Sequence, residues 1–231
     1  MGLGRRIAFR IIQAIGRSAA SLGYSICLAE LIISPAMPSA TTRGGGGVFY
    51  PIVQSLSSAF AFDSEPGPTA GRIGKYLMQV GFHADAVTCI MFLTSMAGNP
   101  LCVGLAASAI GVELTWMQWA VAAIVPGLVC LLLVPLVLLR IAPPEIRQIP
   151  NARQIARDEL EKMEPMSRDE LVLSFVFLMC LVLWATGSLT GLGATPIAML
   201  AVSIMLIAGV LTWKDILAEK GARNRCSGWA G

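Results

Sequence analysis

MQWAVAAIVPGLVCLLLVPLVLL, residues 117 to 139, runs 23 residues without a charge, and the stretch from Leu171 to Trp213 runs 43. An α-helix rises about 1.5 Å per residue, so about 20 apolar residues cross the hydrocarbon of a bilayer. The first stretch is long enough for one span and the second for two. Composition agrees: of 231 residues 55% are hydrophobic and 13% charged, with mean hydropathy +0.71, more apolar surface than a soluble core of this length can hide. The expected fold class is all-α, a polytopic membrane protein with membrane lipid as its solvent.

Several functions are excluded on the same grounds. A formal net charge of +3 is small and scattered, and no aromatic and basic residues interleave as a base-stacking surface requires, so nucleic acid is not an expected partner. The six cysteines (Cys27, Cys89, Cys102, Cys130, Cys180, Cys226) form no CxxC, and five lie in apolar segments where a thiol behaves as a small hydrophobe. Neither a disulfide framework nor a metal site is indicated. With His83 as the only histidine, and no HExxH or GxxxxGK[ST], no catalytic residue is assigned and an enzyme is not expected. Arg5 and Arg6 ahead of an apolar stretch, with Pro38-Ser39-Ala40 downstream, imitate a signal peptide. Glu30 interrupts the candidate apolar core and more membrane sequence follows, so that reading is set aside.

Along the chain, residues 1–17 place Arg5, Arg6, Arg10 and Arg17 among Ile7, Phe9, Ile11, Ile12 and Ile15, the pattern of an amphipathic helix at the membrane surface. Residues 18–62 hold two short apolar arms around SPAMPSATTRGGGG, where Pro35, Pro38 and four glycines cannot continue a helix. They read as one re-entrant helical hairpin, or as two poor spans. Residues 76–139 hold a broken helix and a second span. The stretch Tyr76–Val112 is 37 residues, about 55 Å if helical throughout, against a bilayer core of about 30 Å. Gly98-Asn99-Pro100 is the expected break, which makes this an unwound transmembrane helix running from about Tyr76 to Ser95 and resuming from about Leu101. Residues 140–168 read as a cytoplasmic loop with a short amphipathic helix, 169–213 as two further spans and 214–231 as a polar tail. With the hairpin returning to its starting side, sixteen of the seventeen Lys and Arg residues fall on one face, the cytoplasm by the positive-inside rule. Two full spans in place of the hairpin leave that sum unchanged. The seventeenth is Arg43, at the hairpin tip.

Irregular backbone at membrane depth survives only where protein or water satisfies its polar groups, so two breaks in one short chain point to a polar cavity. Its candidate lining is Ser39, Thr41, Thr42 and Arg43 at the first break, with Thr94, Ser95 and Asn99 at the second. Hydroxyls, an amide and freed backbone groups suit an anion and a coupling cation midway through a membrane. The bland alternatives are helix capping for Ser39, Thr41 and Thr42, turn chemistry for Asn99 and snorkelling for Arg43. His83 and Asp85 are secondary candidates for proton relay, against local pairing, and Glu30 is most simply a residue paired within the bundle.

The runs SPAMPSATTRGGGGVFYPI and FHADAVTCIMFLTSMAGNPL resemble the two first-half motifs of the divalent anion:sodium symporter family, in particular its dicarboxylate branch of 2-oxoglutarate/malate translocators and citrate/succinate or tartrate/succinate antiporters. The similarity covers residues 2 to about 221. In that family a Ser-Asn-Thr triplet at a hairpin tip helps bind substrate and sodium. The resemblance places Ser39 and Thr41 at the triplet's outer positions, and Thr94, Gly98, Asn99 and Pro100 at the unwound corner. Ala40 stands where the triplet usually has Asn, an amide fewer for carboxylate or cation. The resemblance implies a multi-pass protein of the cell (inner) membrane, a homodimer, carrying small organic anions by symport or antiport. It implies no cofactor beyond sodium as a candidate coupling ion. Family members are roughly twice this length, so the expectation is an incomplete first half; the alternatives are a non-transporting remnant, a subunit of a split carrier, or a channel.

Overall fold

The computed structural model describes residues 3–36, 69–144, 148–149, 151–163 and 165–213, and the regular elements among them are helical. The chain divides into two compact units, Met1–Pro165 and Met166–Gly231. The first holds α1 (Leu3–Ile15), α2 (Ala19–Ile33) with a 3-10 turn at Ser34–Ala36, α3 (Thr69–Met91), α4 (Gly98–Ile110), α5 (Trp116–Ile141) and α6 (Ala152–Lys162). The second holds α7 (Arg168–Ala185), α8 (Gly187–Thr190) and α9 (Ala194–Ile207).

Helices α2, α3 and α5 pack on one another. Ser18 starts α2 with a reciprocal cap: its hydroxyl accepts from Ser21 N–H at 3.2 Å, and Ser21 Oγ accepts from Ser18 N–H at 2.8 Å. Glycine allows the close approach that follows. A Cβ on Gly23 would lie 2.7 Å from Tyr76 Oη and 3.3 Å from Pro135 Cβ, so α2 meets α3 and α5 almost backbone to side chain. Pro126 and Pro135 lie inside α5, where each removes an N–H from the helical ladder. Near the second, Tyr24 Oη donates to Leu132 O at 2.9 Å and Tyr76 Oη to Pro135 O at 3.4 Å, and these phenols stitch the bundle.

α5 is the one helix among the described residues long and apolar enough by itself to cross a membrane. Its face of Ala120, Gly127, Leu131, Pro135 and Leu138 is buried, whereas Val121, Val125, Leu128, Leu132 and Leu136 are exposed. An exposed aliphatic stripe of that length has lipid as its natural neighbour. α2, α4 and α9 are apolar but shorter, at 15, 13 and 14 residues.

Two elements differ from the sequence expectations in an instructive way. The interruption in the 76–112 stretch falls at residues 92–97, and Gly98, Asn99 and Pro100 form the first turn of α4 instead of the corner itself. The first N–H groups of a helix have no intrahelical acceptor, so a proline there costs nothing and its fixed φ suits the turn. α1 has the expected amphipathic pattern, but Ala8, Phe9 and Ile12 are buried against protein, with α2 and α6 packed on it. Arg5 lies 3.9 Å from Glu159 on α6, Arg153 donates to Ala14 O, and Ile149 N–H donates to Arg17 O at 3.1 Å. Glu159 also accepts from Lys162 Nζ at 2.8 Å, and that bond raises the lysine pKa above its ordinary value.

Candidate ion and anion site at the helix break

When α3 ends at Met91, the carbonyls of its last turn lose the amides that a continuing helix would bring them, and in an apolar setting each must be met by another donor. Side chains supply it. Asn99 Nδ2 donates to Cys89 O at 2.8 Å and to Phe92 O at 2.9 Å, so the residue that opens α4 closes α3. Trp119 Nε1, from the first turn of α5, donates to Ile90 O at 2.9 Å.

The end of α2 is bonded to the same break. Thr94 Oγ1 donates to Pro35 O at 2.7 Å and Ser95 Oγ to Ser34 O at 2.9 Å. Ser34 Oγ lies 3.0 Å from Ser95 Oγ and reaches Thr88 O at 3.1 Å. One turn deeper, Thr88 Oγ1 lies 3.4 Å from Glu30 Oε2 and 3.3 Å from Asp85 O. Glu30, Ser34, Thr88 and Ser95 are 0% exposed and Asn99 is 6% exposed, so this polar seam is inside the bundle and not on its rim.

Of the residues singled out from sequence, Thr94, Ser95 and Asn99 come together here, with Gly98 and Pro100 in the adjoining turn of α4. Ser39, Thr41, Thr42 and Arg43, the expected tip, lie outside the described residues. The described arm nevertheless ends, at Ser34 and Pro35, on the break itself. His83 and Asp85 are not brought together: they are two positions apart on α3, on different faces, with Asp85 buried and the His83 ring exposed. His83 Nδ1 sits 2.8 Å from Gln79 O, and its ring meets Phe82 edge-on.

Sequence reasoning missed Ser34, Thr88, Trp116 and Trp119. Trp116 Nε1 donates to Thr94 Oγ1 at 3.1 Å, and its ring stacks on Phe92 with centroids 5.9 Å apart. A serine directly before Pro35 at the end of an apolar arm was the available signal for the first of these; the tryptophans offered none beyond opening an apolar stretch.

Comparison with known proteins adds the family. Residues 1–230 match the sodium:sulfate symporter transmembrane region. The chain is 45% identical over 221 residues to YflS of Bacillus subtilis (strain 168), which is named for malate transport, and 42% identical over 221 residues to the chloroplastic dicarboxylate transporter 1 of Spinacia oleracea. It is 37% identical over 223 residues to the inner membrane protein YbhI of Escherichia coli (strain K12). Each match covers 96% of this chain but 46, 38 and 46% of the respective relative, so the chain spans less than half the length of these proteins. Matched almost from end to end, and built around a satisfied helix break in an apolar bundle, the chain belongs to the sodium:sulfate symporter family, the divalent anion:sodium symporters that its two motifs resemble.

Proposed function

We propose that this chain contributes one half-site of a secondary active carrier for di- or tricarboxylates, such as 2-oxoglutarate, malate, succinate or citrate, working by symport or antiport in the inner membrane as a homodimer. The observation that carries the reading is the balance of donors and acceptors at the break. A hydroxyl has one proton and a neutral carboxamide two. Those of Ser95 and Thr94 point at Ser34 O and Pro35 O, that of Ser34 at Thr88 O or Ser95 Oγ, and both from Asn99 at Cys89 O and Phe92 O. α4 adds few free donors, because Asn99 N–H returns to Met96 O at 3.1 Å and Pro100 has no N–H.

What these side chains have left is lone pairs. Asn99 Oδ1, which no donor among the described residues reaches, is the foremost. An acceptor-rich corner suits a hard cation, and sodium is the coupling ion this favours. A carboxylate needs donors, and we assign those to Ser39, Thr41, Thr42 and Arg43. The names of the relatives, malate and dicarboxylate transporters, support a carboxylate as the anion.

The test is uptake of labelled succinate, 2-oxoglutarate and citrate into proteoliposomes, with and without an inward sodium gradient. It is run with this chain alone and with a polypeptide that supplies the remaining length of the relatives. Saturable, sodium-stimulated uptake that Arg43→Ala abolishes is expected in at least the second preparation. Non-saturable flux would make the protein a channel, and no flux in either would sink the reading. Uptake driven by an internal counter-anion and indifferent to sodium would keep the carrier and remove the coupling ion.

A further inference from the structure

We infer that Trp116, seconded by Trp119, is a positioning residue: it clamps the helix break onto the end of the α2 arm, and so sets the geometry of the half-site without touching its ligands. The inference rests on the carrier reading above for what the clamp serves, but not for the clamp itself.

Three features make the two indoles a clamp. They are three positions apart in the first turn of α5, on one face. That turn is rigidly capped, Thr115 Oγ1 accepting from Gln118 N–H at 3.2 Å while Gln118 Oε1 accepts from Thr115 N–H at 2.9 Å. Both rings direct their only donor inward. Trp119 N–H takes the place of the amide that Ile90 O would meet if α3 continued, at 2.9 Å.

Trp116 does something more specific. Its N–H occupies a lone pair of Thr94 Oγ1, at 3.1 Å, and an indole nitrogen is a donor only. The Thr94 proton must therefore turn elsewhere, and it goes to Pro35 O at 2.7 Å. A directed relay thus runs from α5 through the break to the end of the α2 arm, with the Phe92 ring stacked on Trp116 to hold the indole in plane. An interfacial tryptophan serving only as a membrane anchor would turn its N–H toward the headgroups; these two turn theirs to the break.

The experiment compares wild type with Trp116→Phe, Thr94→Val and Thr94→Ser in lipid nanodiscs. W116F keeps a ring on Phe92 and loses the donor, T94V loses the relay, and T94S keeps it. Amide hydrogen exchange across residues 92–99 is read first and needs no ligand. Exchange should be about tenfold faster in W116F and T94V, unchanged in T94S, and unchanged in α7 and α9 for all three. Binding of labelled succinate at fixed sodium is read second, with about five- to tenfold weaker affinity for W116F and T94V at unchanged binding capacity.

Wild-type exchange rates in W116F, or damage by T94S equal to that by T94V, would overturn the clamp. Faster exchange with undiminished succinate affinity would overturn the positioning role. If wild type itself binds no succinate in either length of protein, the carrier reading falls, while the exchange data still decide the clamp. Should W116F fail to accumulate in the membrane, T94V breaks the same bond from the other side.

Discussion

Two of the helix interruptions among the described residues are closed in opposite ways. Between α7 and α9, Thr186 Oγ1 donates to Val182 O at 2.8 Å, Gly191 at φ +69° returns its N–H to Gly187 O at 2.9 Å, and Trp184 Nε1 reaches Ala194 O at 3.3 Å. All three bonds join residues at most ten positions apart. Between α3 and α4 the bonds reach 22 positions to Trp116, 29 to Trp119, 59 to Pro35 and 61 to Ser34. A chain that only has to turn uses the nearest groups, and glycine supplies the left-handed residue at little cost. Long-range polar bonds in an apolar bundle require several elements to agree, and such agreement is what a site needs. The first interruption is a turn; the second is a junction.

The sharpest way to break this contrast is Asn99→Leu. It removes the two side-chain bonds that Asn99 makes to the end of α3: Cys89 O loses its Asn99 donor in a buried setting, while Phe92 O keeps the Ser95 backbone N–H at 3.0 Å. A loss of about 2–3 kcal/mol of stability is expected, mostly from the Cys89 carbonyl at about 1–3 kcal/mol, with a smaller share from the second bond to Phe92 O. Thermal unfolding in nanodiscs measures it. A near-neutral result would mean that water serves the break as well as the amide does, and the junction would lose its special standing.

Next in size is Ser34→Ala. Its hydroxyl reaches Thr88 O at 3.1 Å and Ser95 Oγ at 3.0 Å, but Ser95 can still donate to the Ser34 carbonyl, so one anchor of the arm survives. About 1–2 kcal/mol is expected, below the cost of N99L. A larger loss in Ser34→Ala than in Asn99→Leu would reverse the ranking and make docking of the arm, not closure of α3, the main task of the seam.

How much of this the sequence disclosed follows from what each feature depends on. The all-helical apolar architecture was legible because it depends on composition within a stretch, as residues 117–139 illustrate. A break near Gly98-Asn99-Pro100 was legible for the same local reason, though displaced, because a proline in the first turn of a helix looks in sequence like a proline that ends one. Thr94, Ser95 and Asn99 were found through their place beside that break. Ser34, Trp116 and Trp119 were not, since their roles depend on which distant segment docks where. The apolar stripe of α1 was read correctly as a stripe, but periodicity says that a face must be covered and not what covers it.

The smallest expected effect is the one on which the contrast turns. Thr186 resembles Thr94 in kind, a threonine at a helix interruption whose hydroxyl donates to a carbonyl, though the sequence singled out Thr94 alone, from its place beside the Gly98-Asn99-Pro100 break. The carbonyls differ. Val182 O already accepts the Thr186 backbone N–H at 2.9 Å, so the hydroxyl is its second partner and its loss strands nothing. Thr186→Ala should therefore change stability by no more than about 0.5 kcal/mol, as do substitutions away from buried polar bonds. Thermal unfolding of T186A beside N99L and S34A in the same nanodiscs checks it. If T186A proved as costly as S34A, a hydroxyl at a break would matter irrespective of how far away its partner lies in the chain, and range of bonding would no longer tell a site from a turn.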